Sequence, residues 1–473
     1  MGLTADGTRR RAALAAARLY VVSEARTAAG RLADVIPALA ASGVDIVQLR
    51  DRSLHPAALA AEADLCADAC RRAGILFVVN DDPALARRCG ADGVHIGQDD
   101  GTVADARALL GPDRLVGRST RGGAMLDRAA GEGADYASVG PVWATPTKPG
   151  RPPAGLAAVA DAARRARLPW FAIGGIDTRR VQRVGALGAT RAVVVRAVTE
   201  AADPGAAAAL LRARLVAAVP RVMSVAGTDS GGGAGLLADT KAIVRAGGFP
   251  LCAVTAQTTL GVEDAAALDP GLVRGQIEAV AGDIGIDGVK TGMLALPAVV
   301  EAVAAALAAL DPEDAIPVVV DPVLRAESGA SLLGTGGEDA YRRALLPAAT
   351  VATPNLFEAR ALAGMDDAGP VPLARALYER HGCAVIVTGG HGDTSADVLC
   401  DGEGVTEIPG PRLPARTTHG AGCTHSATLA ALLARGVPLR DAAARAKATA
   451  TGAVAAGLPL GAGAGPVDVV GAR

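Results

Sequence analysis

Charged side chains in the first half of the sequence have the types that hold a diphosphate together with a divalent cation. Arg50, Arg52 and Lys148 can bind a polyanion through their guanidinium and ammonium groups. Asp81 and Asp100 supply hard carboxylate oxygens, which suit Mg²⁺ bound by one or two carboxylates plus substrate phosphates. The sequence therefore predicts a magnesium-dependent diphosphate site, provided that the fold brings these residues together.

A second candidate site lies near the C-terminus, in the segment THGAGCTHS (418–426). Gly420, Ala421 and Gly422 run directly into an Ala- and Leu-rich helical pattern, so backbone N–H groups at the start of that helix would bind an anion. Cys423 stands at the mouth of this site as a nucleophile, a base or merely a small residue. The helix dipole is expected to lower its pKa, which favours a thiolate base.

The elements that must position the first set are short β-like runs that alternate with amphipathic Ala/Leu/Arg segments. The runs are 19–23, 44–50, 76–80, 93–97, 115–119, 136–140, 170–175 and 192–196. Apolar strands that alternate with helices indicate a parallel sheet covered on both faces. Eight such units in about two hundred residues predict an α/β fold of the (β/α)8 TIM-barrel type.

The polar candidates of the first half follow the ends of these runs, which is where barrel enzymes hold their chemistry. In chain order they are Gln48, Arg50, Asn80, Asp81, Asp100, Ser119, Thr145, Thr147, Lys148 and Gly175. The glycine-rich turn after the seventh run and the backbone after the eighth match the usual phosphate cup of barrels. His95 lies inside a strand pattern and is expected to be packed or hydrogen-bonded rather than a ligand.

The motifs VQLRDR, VVNDD, GVHIGQDD, GRS, GPVWATPTKPG and AIGGI resemble those of thiamine-phosphate synthases, over a domain of residues 16–218. The resemblance implies that a hydroxymethylpyrimidine diphosphate loses diphosphate and that a thiazole phosphate, carboxylated or not, attacks through its nitrogen. It implies a diphosphate held by Arg50, Arg52, Asn80 and Lys148, a pyrimidine contacted by Gln48 and Ser119, and Mg²⁺ on Asp81 and Asp100. Ser119 and Lys148 would act at the reacting centre. The thiazole phosphate would meet Thr145, Thr147, Gly175, Val195 and Arg196.

Two positions of the first half depart from this pattern. Arg52 stands where Lys is expected, which keeps the charge and changes the geometry. Arg196 stands where a small, Ser-like residue is expected, and it either adds a charge to the phosphate cup or crowds it.

The second half opens with a strand, a glycine-rich turn and a helix, in VAGTDSGGGAGLLADTKAIVRAGG (225–248). Further strand-like runs follow at 252–259, 288–293, 318–323, 351–355 and 384–390, with helical segments between them. This alternation predicts a doubly wound α/β sheet over residues 220–473, with ligands at the carboxyl ends of its strands.

The motifs AGTDSGGGAG, TAQTT, KTGM, VVDPV, TPNLFEA, TGGH and HGAGCTHSA resemble hydroxymethylpyrimidine and phosphomethylpyrimidine kinases of the ribokinase-like superfamily. The resemblance implies ATP as co-substrate with Mg²⁺. It implies a pyrimidine contacted by Asp239, Gln257 and Met293, nucleotide phosphates organised by Asn355 and Glu358, and an anion hole formed by Gly420, Ala421, Gly422 and Cys423. Lys290 is either catalytic or a buried ion-pair partner. Leu237, Glu327 and Thr388 depart from the family, since Gln is common at the first position and Lys at the other two.

Composition excludes several classes of function. A net charge of −2 gives no global attraction to nucleic acid, and no apolar run is long enough to span a membrane. Seven scattered cysteines and the absence of a signal peptide indicate free thiols and a cytoplasmic location. A zinc site with His419 and His425 lacks a fourth ligand. The expected partners are small-molecule substrates; a homo-oligomer is compatible with the sequence.

Together, the two resemblances predict a bifunctional thiamine-biosynthetic enzyme, because the product of the kinase is the substrate of the barrel. Two alternatives stay open on the sequence alone. The second half is a degenerate, pyrimidine-binding sensor, which its departures would allow, or it is a pyridoxal kinase that shares the fold and anion hole. The pyrimidine contact expected from Gln257 favours the pyrimidine kinase over the latter.

Overall fold

Two compact units divide the chain, Met1–Ala218 and Val219–Arg473. The computed structural model describes residues 3–145, 150, 152–258, 265–310, 312–325, 331–389, 395–414 and 416–472. Within this described part, no helix is both long and apolar enough to cross a membrane.

The first unit is a closed barrel of parallel strands. Its strands are β1 Leu19–Ser23, β2 Arg26–Thr27, β3 Gly30–Arg31, β4 Ile46–Leu49, β5 Leu76–Asn80, β6 Gly93–Ile96, β7 Leu115–Thr120, β8 Tyr136–Val139, β9 Trp170–Ile173 and β10 Ala192–Val194. β2 and β3 form a short hairpin, and the others close in the order β1-β10-β9-β8-β7-β6-β5-β4. Each predicted run overlaps one barrel strand, so the predicted TIM-like barrel is confirmed.

Helices cover the outside of the barrel. They are α1 Ala5–Ala16, α2 Leu32–Ala41, α3 Pro56–Ala73, α4 Pro83–Arg88, α5 Val103–Leu110, α6 Gly123–Gly131, α7 Gly155–Arg165, α8 Arg180–Ala186, α9 Arg196–Thr199 and α10 Pro204–Val216. Because both faces of the eight barrel strands are covered, these strands are apolar and buried almost throughout rather than alternating in polarity.

Helix α1 lies before the predicted start of the domain at residue 16, yet it belongs to the first unit. Arg10 Nε lies 2.8 Å from an oxygen of Asp92, and Arg11 Nη2 lies 2.9 Å from one of Asp135. Leu14 is buried in the same cluster as the interior residues Tyr20 and Tyr136. The helix therefore covers part of the barrel interior.

The second unit is built on one eight-stranded sheet. The strands are β11 Arg221–Ala226, β12 Phe249–Val254, β13 Ala256–Thr258, β14 Ala265–Ala267, β15 Gly288–Thr291, β16 Val318–Val320, β17 Val351–Ala352, β18 Ala384–Val387, β19 Asp397–Asp401 and β20 Gly404–Ile408. The main sheet runs β12-β11-β15-β16-β17-β18-β19-β20, in which β19 pairs antiparallel with both β18 and β20, and β13 pairs with β14 apart from it.

Helices lie on both faces of this sheet. They are α11 Gly235–Arg245, α12 Pro270–Asp283, α13 Pro297–Ala308, α14 Gly337–Ala340, α15 Leu356–Ala363, α16 Pro370–His381, α17 Ala421–Ala434 and α18 Leu439–Ala455. One core joins the sheet to α12, α13, α15 and α16, and another joins it to α11, α17 and α18. The predicted doubly wound domain is confirmed, with an antiparallel edge that the strand-like runs did not include.

Candidate active sites

A cavity of about 300 Å³ lies at the carboxyl ends of the barrel strands. The structure brings together there the residues predicted for the diphosphate, the pyrimidine and the metal, namely Gln48, Arg50, Arg52, Asn80, Asp81, Asp100 and Ser119. Lys148, which was predicted to join them, lies outside the described residues, as does Thr147 of the thiazole site.

One wall of this cavity is acidic. Asp81, which follows β5 with a positive φ of 59°, accepts hydrogen bonds from Asn80 Nδ2 at 2.5 Å and from the Gly97 amide at 3.0 Å. A Cβ on Gly97 would lie 2.0 Å from Asp100 Oδ2 and 3.6 Å from Asp81 Oδ1, so glycine at this position leaves room for both carboxylates. Burial raises the pKa of Asp81, and the charge of Asp100 adds to that effect.

This donor set fits Mg²⁺. Among the described residues no group of three or more His, Cys, Asp or Glu side chains could hold a metal. A pair of carboxylates beside an open cavity is the arrangement in which Mg²⁺ completes its shell with water and substrate phosphate oxygens.

The opposite charges come from two arginines. Arg52 Nη2 lies 3.8 Å from Asp81 Oδ2, while its side chain remains largely exposed. Burial lowers the pKa of Arg50, and the neighbouring Arg52 charge lowers it further. A bound polyanion would relieve the repulsion between the two guanidinium groups.

A hydrogen-bonded chain forms the floor of the cavity. Gln48 Nε2 donates to the Tyr20 hydroxyl, which lies 3.2 Å from the Tyr136 hydroxyl. His95 then contacts Tyr136 through Nδ1 at 3.3 Å and Ser119 Oγ through Nε2 at 3.0 Å. His95 is thus hydrogen-bonded, as expected. Tyr20 and His95 also line the cavity, which their inward positions on strands could have suggested.

A second cavity of about 300 Å³ adjoins the first, and the two share Ile173, Val193 and Val195 in their walls. It is lined by the described residues that were predicted for the thiazole phosphate, Thr145, Gly175, Val195 and Arg196. It also contains Arg180, Asp177 and Glu200, which were not among the predicted residues.

In the second unit, the glycine-rich turn before α11 is organised by Asp229. Its carboxylate accepts backbone hydrogen bonds from Gly231, Gly233 and Ala234 at 2.9–3.0 Å, and its Oδ2 lies 3.0 Å from His419 Nε2. The hydrogen bond from His419 is the largest cause that lowers the pKa of Asp229 to about 2. His419 therefore contacts a carboxylate that also caps the opposite loop, which sequence reasoning missed.

The turn and the predicted anion hole are in close contact. Gly420, with a φ of 87°, is the N-cap of α17, and a Cβ there would lie 1.8 Å from the Gly233 carbonyl oxygen. Only glycine fits such an approach. Gly422 has open space around it, consistent with backbone N–H groups of the first helical turn that face a ligand.

Lys290 and Asp239 form a fully buried ion pair below this region. Lys290 Nζ lies 2.9 Å from both carboxylate oxygens of Asp239, and Ser224 Oγ donates to one of them. The ion-pair interpretation of Lys290 is therefore confirmed. The predicted pyrimidine contact of Asp239 does not fit this structure, because the residue has no exposed surface and both its oxygens are engaged.

The prediction for Cys423 is corrected as well. Its pKa is raised to about 12, because desolvation of the thiol outweighs the opposing charge of Lys290 and because Asp239 and Asp321 lie nearby, even though the residue as a whole is partly exposed. Burial and the two carboxylates thus outweigh the helix N-terminus, and the neutral thiol is the favoured form. Sequence reasoning gave the helix dipole and could not give the two carboxylates that the fold places beside the sulfur.

Asn355 and Glu358 form a capping box at the start of α15. The Asn355 side chain accepts from the Glu358 amide at 3.0 Å, and Glu358 Oε2 accepts from the Asn355 amide at 2.9 Å. Burial, with the charge of Asp321 in addition, raises the pKa of Glu358 to about 8. Asp321 itself accepts from Ser426 Oγ at 2.8 Å. A divalent cation would relieve the repulsion between these two neighbouring buried carboxylates.

The other kinase candidates lie near Gly227. A Cβ on Gly227 would lie 2.4 Å from Met293 Cε and 3.4 Å from the Ala256 carbonyl oxygen, and Gln257 is exposed on the adjacent β13. Among the departures, Leu237 is 47% exposed and the Thr388 amide donates to Pro354 O at 2.9 Å. Glu327 lies outside the described residues.

Comparison with known proteins decides the family. A family model for phosphomethylpyrimidine kinase matches residues 229–468, and one for thiamine monophosphate synthase matches residues 19–198. A thiamine biosynthesis bifunctional protein ThiED from Geobacter sulfurreducens is 38% identical over 440 residues, or 90% of this chain and 89% of that protein. The chain belongs to this bifunctional thiamine-biosynthesis family.

Other relatives resemble one half of this family member. A thiamine-phosphate synthase from Thermobifida fusca is 53% identical over 208 residues, 43% of this chain and 95% of that protein. A pyridoxal kinase from Staphylococcus aureus, solved in complex with ADP, is 32% identical with a TM-score of 0.50 and covers 54% of this chain and 94% of its own. Because a match to one bifunctional relative spans both halves, the pyridoxal-kinase and sensor alternatives are not favoured.

Proposed function

We propose that this chain makes thiamine monophosphate in successive steps. The kinase unit would phosphorylate 4-amino-5-hydroxymethyl-2-methylpyrimidine, and then its monophosphate, at the expense of ATP. The barrel would join the resulting diphosphate to 4-methyl-5-(2-phosphoethyl)thiazole, or its carboxylated form, and release diphosphate. The observation that carries this proposal is the presence of both units in one chain of a bifunctional family.

In the barrel, the first cavity would hold the pyrimidine diphosphate and the second the thiazole phosphate. The bond between the methylene carbon and the diphosphate oxygen breaks, and the thiazole nitrogen forms the new bond to that carbon. Arg50 and Arg52 would neutralise the departing diphosphate, and Gln48 and Ser119, held by the chain through His95, would orient the pyrimidine. Mg²⁺ on Asp81 and Asp100 would supply further charge neutralisation when bound.

In the kinase, the N-terminus of α17 would face the phosphoryl group in transfer. The first phosphorylation removes a hydroxyl proton, whereas the second starts from an ionised phosphate oxygen. Because the Cys423 thiol has a pKa of about 12, Cys423 would lie at the anion hole as a neutral thiol and not as a thiolate base. Transfer would then depend mainly on positioning and electrostatic stabilisation, as is usual for phosphoryl transfer.

The test is a coupled assay on the purified full chain. It receives the hydroxymethylpyrimidine, ATP, Mg²⁺ and thiazole phosphate, and thiamine monophosphate is measured by mass. Product is expected from the alcohol, from the monophosphate and from the diphosphate. Product from the diphosphate alone would contradict the kinase proposal, and no product from any of them would contradict the barrel proposal.

Matched variants separate the two sites. Gly422→Asp places a carboxylate in the open space at the anion hole and should abolish turnover of the alcohol but not of the diphosphate; Gly422→Asn is the uncharged control of equal size. Asp100→Asn should slow turnover of the diphosphate and leave ADP formation from the alcohol unchanged. A mixture of the Gly422→Asp and Asp100→Asn chains should then regain product from the alcohol.

A further inference from the structure

The second barrel cavity contains an arginine that the sequence motifs do not mark. Arg180, the first residue of α8, is half-buried in the cavity wall with Thr145, Gly175 and Arg196. Arg196 is exposed on α9, at the mouth of the phosphate cup. Two guanidinium groups on separate elements therefore line one small cavity.

Arg180 is held in place by an aromatic face and a backbone carbonyl. Its Cζ lies 4.9 Å from the ring centroid of Trp143, whose side chain is buried, and its Nη1 donates to the Gly175 carbonyl at 3.4 Å. A guanidinium over an indole face is fixed in orientation, because the stacking uses the flat face of the group. The side chain is thus preorganised before a ligand arrives.

Gly175 allows this approach. Its φ of 69° is in the left-handed region, and a Cβ there would lie 2.8 Å from Trp143 Cβ and 3.4 Å from Arg180 Nη1. Glycine at this position therefore brings the turn after β9, the indole and the guanidinium together in the cavity wall.

The charges in the cavity are mixed, which makes the position of each one important. Asp177 Oδ1 accepts from the backbone amides of Arg179 and Arg180 at 2.9 Å, so it stabilises the turn that carries Arg180. Glu200 is exposed and also lines the cavity. Since these carboxylates repel an anion, a fixed guanidinium would decide how strongly a phosphate binds.

We infer that Arg180 is a specificity-determining residue of the synthase site, which acts with Arg196 to bind the phosphate of the thiazole substrate. The inference rests on the proposed function of the barrel. It also explains the departure at Arg196. The exposed guanidinium of Arg196 adds charge to the phosphate cup, and the stacked guanidinium of Arg180 fixes the orientation of the bound phosphate.

The experiment supplies pyrimidine diphosphate directly, so that the kinase is bypassed, and varies the thiazole phosphate. Arg180→Gln should raise KM for thiazole phosphate by about tenfold or more while KM for the pyrimidine diphosphate and kcat change little. The KM of Arg180→Lys for thiazole phosphate should lie between those of the wild type and Arg180→Gln, because lysine keeps the charge and loses the planar stacking. Arg179→Gln is the matched control, since the neighbouring Arg179 does not line the cavity.

A second readout separates phosphate recognition from a structural effect. The wild type is compared with Arg180→Gln on the thiazole alcohol, which lacks the phosphate. The preference for phosphate over alcohol, expressed as a ratio of kcat/KM values, should fall by about the same factor as the thiazole-phosphate kcat/KM. Equal losses on both thiazoles, a rise in both substrates' KM values, or a KM within twofold of wild type would overturn the inference. Failure of the proposed function differs from all of these, since the wild type itself would then be inactive.

Discussion

The thiol of Cys423 should react slowly with disulfide reagents. With a pKa of about 12 its thiolate fraction at pH 7.5 is roughly 3 × 10⁻⁵, against about 0.1 for an ordinary thiol of pKa ~8.5. The more basic thiolate is the better nucleophile, and a Brønsted slope of about 0.45 over about 3.5 pKa units recovers a factor of roughly 40. The net expectation is exchange with a disulfide reagent about 70-fold slower than for a free thiol.

An aromatic disulfide reagent can measure this rate in a Cys252→Ser background. Cys252 is exposed and Cys423 is partly exposed, while Cys66, Cys70, Cys89, Cys383 and Cys400 are buried. The slow phase is assigned by its loss in the Cys252→Ser, Cys423→Ser double variant. Its rate should keep rising with pH beyond pH 10.

The functional corollary is that Cys423→Ser retains most of both phosphorylations, because a neutral thiol is not the proton acceptor. An apparent pKa below about 9 would refute the reasoning and return Cys423 to the role of base. In that case Cys423→Ser should suppress the first phosphorylation and spare the second, which needs no base.

Lys290→Met should lower the free energy of unfolding of the kinase unit by about 3–5 kcal/mol, and the Asp239→Leu, Lys290→Met double variant should recover most of it, since a lone buried charge costs more than a missing pair. Both tryptophans, Trp143 and Trp170, lie in the barrel, so a denaturation transition seen by circular dichroism and not by tryptophan fluorescence reports the kinase unit. An unchanged transition in Lys290→Met would argue against the buried pair. Asp229→Asn should slow both phosphorylations and leave the synthase unaffected, because the glycine-rich turn loses the carboxylate that accepts its backbone hydrogen bonds. The pKa of Asp229 is depressed in the folded protein, so the carboxylate contributes its full stability at pH values above the ordinary aspartate pKa. This contribution is lost as the pH falls towards 2, and the difference in stability between wild type and Asp229→Asn should shrink with it. A difference that stays constant over this pH range would contradict the prediction. Asp81→Asn should raise the Mg²⁺ concentration needed for half-maximal synthase activity. The control is Asp82→Asn, which should leave this concentration unchanged because Asp82 caps α4. Equal Mg²⁺ curves for the wild type and both variants would exclude Asp81 as a ligand.

Local patterns predicted the barrel well. Its strands are short apolar runs with both faces buried, so each run stands out between amphipathic helices, and polar residues that follow the runs gather at one end of the barrel. The second unit was harder. The run 252–259 divides at Thr255, which lies between β12 and β13, and these two strands enter different sheets. Hydrophobicity alone does not reveal such a division.

The sequence by itself determined the residue types of the barrel cavities, the glycines of the turns and the helix start at the anion hole. These depend on spacing and on backbone conformation, which neighbouring residues set. Only the tertiary structure decided which charges meet: Lys290 with Asp239, His419 with Asp229, Arg180 with Trp143, and two carboxylates near Cys423. Those partners lie far apart in the chain, and the pKa of a group depends on burial and on charges within a few ångströms, whatever their separation in sequence.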